Sequence, residues 1–242
     1  MKIIFDKSTY KPGEEISGNG VGKLIISKLG DKLSEVNVNG NFKLPAMGKG
    51  SYGVELISDN QSYWSALEVI ENPWQRIRYG FLSEFAEHID TAKQVEWAKR
   101  LHLTSIQFYD WAYKHEFLMA PGESYADPLG GMISKSKLKE LIAGYEAAGI
   151  YPSGYAAVYA VDREGWARWK ESGVYGDDGK PFQLGEDFLW VIDPADKKWL
   201  PHFIEQLKAA RDFGFKTFHL DQYGWPKRAV KTDGTVVDIA EQ

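Results

Sequence analysis

The sequence changes its pattern near residue 73, and this change is the feature that most constrains the fold. Before residue 73, short strand-like runs such as GKLIISKL and SYGVELIS are separated by turn sequences such as SGNG and VNGN. After it, strand-like and helix-like segments alternate as β-α-β-α-β-α-β. We therefore predict two domains, residues 1–72 and residues 73–242. Pro73 ends the first pattern because it cannot donate to a sheet ladder.

The first predicted domain is a small immunoglobulin-like β-sandwich. Tyr52, Val54 and Leu56 alternate with Gly53 and Glu55, which is typical of a half-buried strand. Nothing in this region resembles a catalytic set of residues, so we expect it to support the second domain architecturally.

The second predicted domain is an α/β structure with a parallel sheet and right-handed crossovers. The predicted strands cover residues 77–81, 105–110, 153–160 and the end of 213–224, and the predicted helices cover residues 91–101, residues 137–148 and a segment capped by Asp196. Residues 166–193 are predicted to be irregular. Gly149 follows the second helix and is expected to be its C-cap.

Polar and aromatic side chains accumulate where these strands end. They are Glu84, Tyr109, Asp110, Tyr159, Asp162, His219 and Asp221. In a (β/α)₈ barrel they would converge on one mouth. The pattern fits a doubly wound open sheet equally well, although the first strand is not followed by GxGxxG or a P-loop, which disfavours a nucleotide-binding version.

The stretch FGFKTFHLDQYG at residues 213–224 contains the most clearly defined of these strand ends. Asp221 falls where the strand should stop, and a carboxylate at the carboxyl end of a parallel strand is a frequent catalytic position. A carboxylate that only caps the following turn would give the same local pattern.

The composition narrows the class of ligand. Aromatic residues make up 14% of the chain, with 9 Trp and 13 Tyr, and rings that are not needed in the core can stack on the apolar faces of sugars. The formal net charge of −5 and the lack of a basic block argue against nucleic acid or an anionic membrane as a partner. The sequence contains no Cys, which excludes a disulfide framework and a thiolate nucleophile.

No cofactor or metal is expected. His102, His115, His202 and His219 are scattered, without HxH or HExxH spacing. The opening residues do not form a signal peptide, and no apolar run is long enough to span a bilayer. These features leave the localisation undecided.

Four motifs, in this order, carry a resemblance to a known family: RYGFLSEF at 78–85, IQFYDWAYKH at 106–115, GYAAVYA at 154–160 and FHLDQYG at 218–224. Together with the YKPGE turn at 10–14, they resemble glycoside hydrolase family 66, which contains endo-dextranases and cycloisomaltooligosaccharide glucanotransferases. The resemblance implies the first half of a (β/α)₈ barrel, an α-1,6-glucan polysaccharide or oligosaccharide as partner, and cleavage with retention of configuration. It also implies that Asp221 is the nucleophile, and that the substrate is bound by Tyr109, Asp110, Tyr159, His219 and Gln222.

The sequence departs from the family in two respects, of which the first is that its N-terminal region is shorter than the family's usual sandwich and the second concerns the general acid/base. The family's general acid/base is a Glu beyond the sixth barrel strand, a position absent from these 242 residues, so the chain is expected to be a truncated form. If it is active alone, the acid must be another carboxylate, and Glu84, Asp110 and Asp193 are the candidates. Half a barrel also has open edges, which predicts self-association. The alternative function is a catalytically silent protein that binds isomaltooligosaccharides.

Overall fold

The structure of the protein is a computed structural model, and it describes residues 3–221 and 224–241. The helices in these residues are α1 (Thr91–Arg100), α2 (Lys135–Ala147), α3 (Arg163–Trp169) and α4 (Trp199–Phe213). The strands are β1 (Ile3–Phe5), β2 (Ile16–Lys28), β3 (Asp31–Leu44), β4 (Gly50–Ser58), β5 (Gln61–Val69), β6 (Tyr79–Leu82), β7 (Ser105–Phe108), β8 (Ser124–Ala126), β9 (Met132–Ser134), β10 (Tyr151–Ala157), β11 (Ala160–Val161), β12 (Val174–Tyr175), β13 (Gln183–Leu184), β14 (Leu189–Val191), β15 (Thr217–Asp221), β16 (Ala229–Lys231) and β17 (Val236–Val237). In the described part of the chain, no helix is both long enough and apolar enough to span a membrane.

The chain divides into two compact units. Unit 1 contains Met1–Gly80, Asp90–Ile106 and Glu140–Pro152, and unit 2 contains Phe81–Ile89, Gln107–Lys139 and Ser153–Gln242. The division of the sequence into domains at residues 72 and 73 stays a prediction.

Unit 1 contains a five-stranded antiparallel sheet. Strand β2 pairs with β1, β3 and β4, and β5 pairs with β4. The alternation predicted for β4 is confirmed, because Tyr52, Val54 and Leu56 are buried. Their cross-strand partners include Leu24 and Ile26, which are also buried, and each such aliphatic side chain contributes roughly 1.5–3 kcal/mol to stability. The immunoglobulin-like sandwich stays a prediction.

The second large sheet has the strand order β15-β10-β7-β6. This order follows the sequence, as expected when each strand is joined to its neighbour by a helical connection. Strands β10 and β15 are parallel, with Tyr155 opposite His219 and Ala157 opposite Asp221. The last residues of all four strands belong to unit 2.

Helix ends follow the local sequence signals. The side chain of Asp90 accepts a hydrogen bond from the backbone N–H of Lys93 at 3.0 Å and caps α1. Gly149 lies two residues after the end of α2 with φ of +72°, a conformation that glycine adopts without strain. The predicted role of Gly149 is therefore confirmed.

The prediction of an irregular segment at residues 166–193 is wrong. Helix α3 enters this segment, because the Asp162 carboxylate caps it by accepting from the N–H of Gly165 at 2.7 Å. Strands β13 and β14 pair with each other within the segment, and β14 also pairs with β11, which precedes it. Strands of two or three residues are too short to produce a detectable period in the sequence.

Asp196, the predicted cap of the last long helix, does accept hydrogen bonds from the start of that helix, but the N-cap residue is Lys198. Helix α4 begins at Trp199, and the carboxylate of Asp196 accepts hydrogen bonds from the backbone N–H groups of Lys198 and Trp199 at 2.9 and 3.0 Å. The hydroxyl of Ser172 donates to the same oxygen at 2.7 Å. Asp196 thus satisfies amides at the start of α4 from outside the N-cap position.

Candidate active site

Asp221 is the last residue of β15, and its carboxylate accepts a hydrogen bond from the hydroxyl of Tyr155 at 2.9 Å. Tyr155 is on the neighbouring strand β10, directly opposite His219. Because side chains two residues apart on a strand share a face, the hydroxyl of Tyr155 reaches one pair beyond its direct partner. The parallel register of these two strands therefore fixes a donor on the carboxylate.

Tyr109 and Asp110 follow β7, the next strand in the sheet. The N–H of Tyr109 donates to the carbonyl of Leu82 at 2.8 Å. The ring of Tyr109 lies 5.0 Å from the ring of Tyr155. Asp110 has a φ of +52°, an unusual value for a residue other than glycine, and it redirects the chain at the end of the strand.

The pKa values of Asp110 and Tyr109 are both raised. Burial is the main reason why the pKa of Asp110 rises to about 6, and the negative charges of Asp127 and Asp221 add to the effect. The charge of Asp110 in turn raises the pKa of Tyr109, with smaller contributions from burial and from Asp221. Among the described residues, none donates a hydrogen bond to the Asp110 carboxylate. Asp110 can therefore hold a proton at mildly acidic pH, which is the behaviour of a functional carboxyl group.

His219 and Tyr159 complete the predicted set within the described residues. The ring of His219 lies 6.1 Å from that of Tyr155 and is nearly parallel to it. Tyr159 is buried, and burial raises its pKa, while its hydroxyl is hydrogen-bonded to the backbone of Trp225. Gln222, the last residue of the predicted set, lies outside the described residues.

A buried layer supports Tyr155 from behind. The indole N–H of Trp111 donates to the carbonyl of Tyr155 at 3.0 Å, and the ring of Trp111 packs 4.4 Å from that of Phe215. Gly154 leaves room for this layer, because a Cβ at this position would lie 3.2 Å from the indole nitrogen and the neighbouring rings would have to shift by a few tenths of an ångström. Neither Tyr155 nor Trp111 can be recognised as a site residue from the sequence alone. The register of β10 against β15 would have indicated Tyr155, but the sequence does not give that register.

The other two acid candidates have unsuitable surroundings. Glu84 is exposed in the loop after β6. Asp193 is buried, and it forms an ion pair with Lys231 at 2.6 Å and accepts from the N–H of Ala195 at 3.0 Å. A buried carboxylate that is already bound by an ammonium group and a backbone N–H is not offered to a substrate.

No group of three or more His, Cys, Asp and Glu side chains in residues 3–221 and 224–241 could hold a metal ion. Nε2 of His202 lies 2.6 Å from the carbonyl oxygen of Glu116, so His202 has a packing role in unit 2.

Unit 2 contains two cavities, and the smaller one is lined by Asp110 and Tyr155 of the site. Its other lining residues are Ala112, His115, Leu118, Pro128, Ala156 and Ala157. The larger one encloses about 790 Å³ that includes open solvent. It is lined by Tyr113, Lys114, His115, Ala126, Asp127, Pro128, Asp162, Arg163, Glu164, Asp187, Phe188 and Leu189. His115 and Pro128 line both spaces.

A family model and two curated proteins match this chain. The model of the family described as Glycosyl hydrolase family 66 matches residues 5–242. Two proteins of Niallia circulans, each named cycloisomaltooligosaccharide glucanotransferase, are 28% identical over 196 residues (73% of this chain) and 26% identical over 214 residues (80% of this chain). This chain covers 20% of the length of each of them.

A solved structure shows the same fold. It is a Paenibacillus sp. cycloisomaltooligosaccharide glucanotransferase complexed with cycloisomaltoheptaose, with a TM-score of 0.83 and 22% sequence identity. The match covers 99% of this chain and 40% of that one.

Proposed function

This chain belongs to glycosyl hydrolase family 66, and we propose that it acts, alone or as part of a longer protein, as a retaining glycoside hydrolase or transglycosylase on α-1,6-glucan, with Asp221 as nucleophile. The observation that carries the proposal is the hydrogen bond from Tyr155 to Asp221 at 2.9 Å. A retaining enzyme needs an ionised carboxylate at the anomeric carbon, and a donor on the carboxylate favours the charged form. The names of the relatives, and the cycloisomaltoheptaose bound in one of them, support an α-glucan ligand.

We propose a binding role for the residues around Asp221. Tyr109, Asp110, His219 and Gln222 would bind the glucosyl unit that reacts, with Tyr159 behind them. The exposed ring of Tyr109 offers a stacking surface, and the carboxylate of Asp110 can accept hydrogen bonds from sugar hydroxyls.

The four-stranded sheet is, in this proposal, the first half of a (β/α)₈ barrel. Its sequential strand order, the parallel pairing of β10 with β15 and the polar residues after the strands support this interpretation. Strands β6 and β15 are the outer strands of the sheet within the described residues. Open edges of this kind favour pairing with another chain, so we expect self-association that increases with protein concentration in light scattering.

If the chain cleaves glucan by itself, we propose that Asp110 is the general acid. A general acid must be protonated near the working pH, and the pKa of Asp110 is raised to about 6 by burial and by the charges of Asp127 and Asp221. Glu84 is exposed in a loop, and Asp193 is buried and paired with Lys231, so we do not propose either of them for this role.

The decisive experiment does not require an acid. In 5-fluoro-α-isomaltosyl fluoride the leaving group departs as fluoride without protonation. The Asp221 carboxylate attacks the anomeric carbon, the C–F bond breaks with its electron pair leaving on fluoride, and a glycosyl ester remains. The ring fluorine disfavours the oxocarbenium-like transition state and so slows hydrolysis of the ester. We expect one isomaltosyl group per chain in the intact mass, located on Asp221 by peptide mapping, and none in Asp221→Asn. Labelling of a different residue, or no labelling, contradicts the assignment.

The alternative function is a silent isomaltooligosaccharide-binding protein. It is favoured if the chain binds dextran in calorimetry, releases no reducing ends and forms no ester. Reducing ends that appear with the original chain and not with Asp221→Asn exclude it.

A further inference from the structure

Unit 1 contains a cavity where β4 begins and β5 ends. Gly50 and Val69, which are opposite each other in these antiparallel strands, form one side of it. A short 3₁₀ helix, Pro73–Arg76, forms another side, and the Asn72 side chain caps this helix by accepting from the N–H of Trp74 at 3.0 Å. The cavity encloses about 580 Å³ that includes open solvent, and its lining residues are Lys49, Gly50, Glu68, Val69, Ile70, Gln75 and Arg76.

The carboxylate in this cavity already has its partners. Glu68 is buried, and its two oxygens accept hydrogen bonds from Nη1 of Arg76 at 3.2 Å and from Nη1 of Arg78 at 2.6 Å. Glu71, the next acidic residue along the chain, is exposed and is not among the lining residues. Because two guanidinium groups neutralise Glu68, this carboxylate does not compensate the other cations of the cavity.

The basic side chains that line the cavity keep unused donors. Among the described residues, the Lys49 ammonium forms no hydrogen bond or ion pair. Arg76 uses only Nη1, which also donates to the hydroxyl of Ser51 at 3.0 Å, so its Nε and Nη2 have no partner in the described part of the chain. The side-chain amide of Gln75 is unpaired in the same residues. Donors of three kinds are therefore available to one ligand, and a guanidinium offers its N–H groups in a fork that matches two oxygens of one oxyanion.

The charge of the cavity indicates the class of ligand. Lys49, Arg76 and Arg78 carry three positive charges and Glu68 carries one negative charge, which leaves a net charge of +2. The ammonium of Lys28 adds to this charge, since its Nζ would lie 3.1 Å from a Cβ on the glycine that begins β4. The whole chain has a formal net charge of −5, so the positive charge is local. A phosphate group, with about −1.5 to −2 charges at pH 7, compensates it better than a single carboxylate, and a neutral sugar does not compensate it at all.

We propose that this cavity binds a phosphate group, with its oxygens held by the free N–H groups of Arg76, the ammonium of Lys49 and the amide of Gln75. The group is supplied by inorganic phosphate or by a sugar phosphate, since both present the same oxygens. This ligand differs from the neutral glucan of the proposed function, and its binding does not depend on Asp221. The Arg76 side chain is 63% exposed, so solvent and salt screen the charges, and we expect a dissociation constant of about 1 mM.

The test is calorimetric titration of the whole chain with inorganic phosphate at constant ionic strength, with sodium chloride as the reference titrant. Lys49→Gln removes one positive charge without changing a partner of Glu68, and it should weaken phosphate binding about fivefold. Lys93→Gln is the matched control, because Lys93 is exposed on α1 of the same unit and does not line the cavity. This control should leave the affinity unchanged.

A second pair of variants tests the guanidinium. Arg76→Lys keeps the charge but loses the planar fork, so phosphate binding should weaken about threefold, whereas Arg76→Gln should weaken it about tenfold. Arg76→Gln also removes one partner of Glu68, so its thermal unfolding is measured in parallel. If this variant is unfolded, Lys49→Gln and its control decide the result by themselves.

Titration with glucose 6-phosphate and with glucose distinguishes the two sources of the phosphate group. A site for a sugar phosphate should bind glucose 6-phosphate at least about tenfold more tightly than inorganic phosphate, whereas a site for free phosphate should bind the two equally. In both cases Lys49→Gln should weaken the binding of each phosphate compound by the same factor. Binding of glucose itself that Lys49→Gln weakens equally would show that recognition of an anion is wrong.

Two further results would overturn the proposal. One is that phosphate gives no more heat than chloride up to about 20 mM, well above the expected dissociation constant. The other is that Lys93→Gln weakens phosphate binding as much as Lys49→Gln, because the attraction would then come from the overall charge and not from the cavity. Labelling of Asp221 by the isomaltosyl fluoride should be the same in Lys49→Gln and in the original chain, so the phosphate site and the catalytic assignment are tested separately.

Discussion

Glu68 in unit 1 and Asp110 in unit 2 are two acidic residues with opposite surroundings. Glu68 is buried, and its two oxygens pair with Arg76 at 3.2 Å and with Arg78 at 2.6 Å. Asp110 forms no ion pair with a cation among the described residues, and burial and two neighbouring carboxylates raise its pKa to about 6. A buried charge that has its partner belongs to the fold, whereas a carboxyl group whose pKa is raised by its neighbours is typical of functional sites. The difference favours unit 2 as the place of the proposed site.

The largest expected effect is on reactivity and comes from Asp221→Asn. An amide cannot form the glycosyl ester, so we expect labelling by the isomaltosyl fluoride to fall by at least about 1,000-fold, roughly 4 kcal/mol in the barrier. Thermal unfolding should change little, since Asp221 lies at a strand end. If Asp221→Asn loses labelling only because it unfolds, its effect is on stability, as expected for Glu68, and the proposed difference between the two residues is wrong.

The corresponding change in unit 1 is Glu68→Gln, which should affect stability and leave labelling intact. Removing one partner of a buried ion pair leaves the Arg78 guanidinium without its counter-charge and should lower the free energy of unfolding by about 3 kcal/mol. Urea denaturation measures this loss. Equal losses of labelling in Glu68→Gln and Asp221→Asn would show that the comparison between the units is wrong.

Tyr155→Phe is expected to have an intermediate effect. It keeps the ring that packs between Tyr109 and His219 but removes the donor to Asp221, so the labelling rate should fall about tenfold. Thermal unfolding should stay within about 1 kcal/mol of the original chain, since only one hydroxyl is removed. A purely structural role would lower the thermal stability in proportion to the loss of labelling.

The smallest expected effect is the pH dependence contributed by Asp110. Its folded-state pKa is raised from 3.8 to about 6, so its favourable contribution is fully present below pH about 4 and is lost as the pH rises through about 6. The side chain is only half-buried and is screened by solvent, which reduces the expected difference to about 1 kcal/mol. Asp110→Asn should therefore gain stability relative to the original chain between pH 4 and pH 7. A constant difference over this range would contradict the altered pKa.

The sequence predicted the elements with strong local signals. The alternation of Tyr52, Val54 and Leu56 gave β4, the apolar spacing gave α1, α2 and α4, and Gly149 marked a helix end, because each pattern depends on neighbours within one or two turns. It missed α3 and the short strands of residues 166–193, whose two- or three-residue pairings are set by distant partners.

The candidate site divides in the same way. The sequence determined that Asp221 ends a strand, that Tyr109 and Asp110 end another, and that four ordered motifs belong to one family, since all of these are properties of local order along the chain. Only the tertiary structure decided that Tyr155, 66 residues away, donates a hydrogen bond to Asp221, and that Lys231 forms an ion pair with Asp193. It also raised the pKa of Asp110. These properties arise from strand register and burial, which bring together groups that have no detectable relation in the sequence.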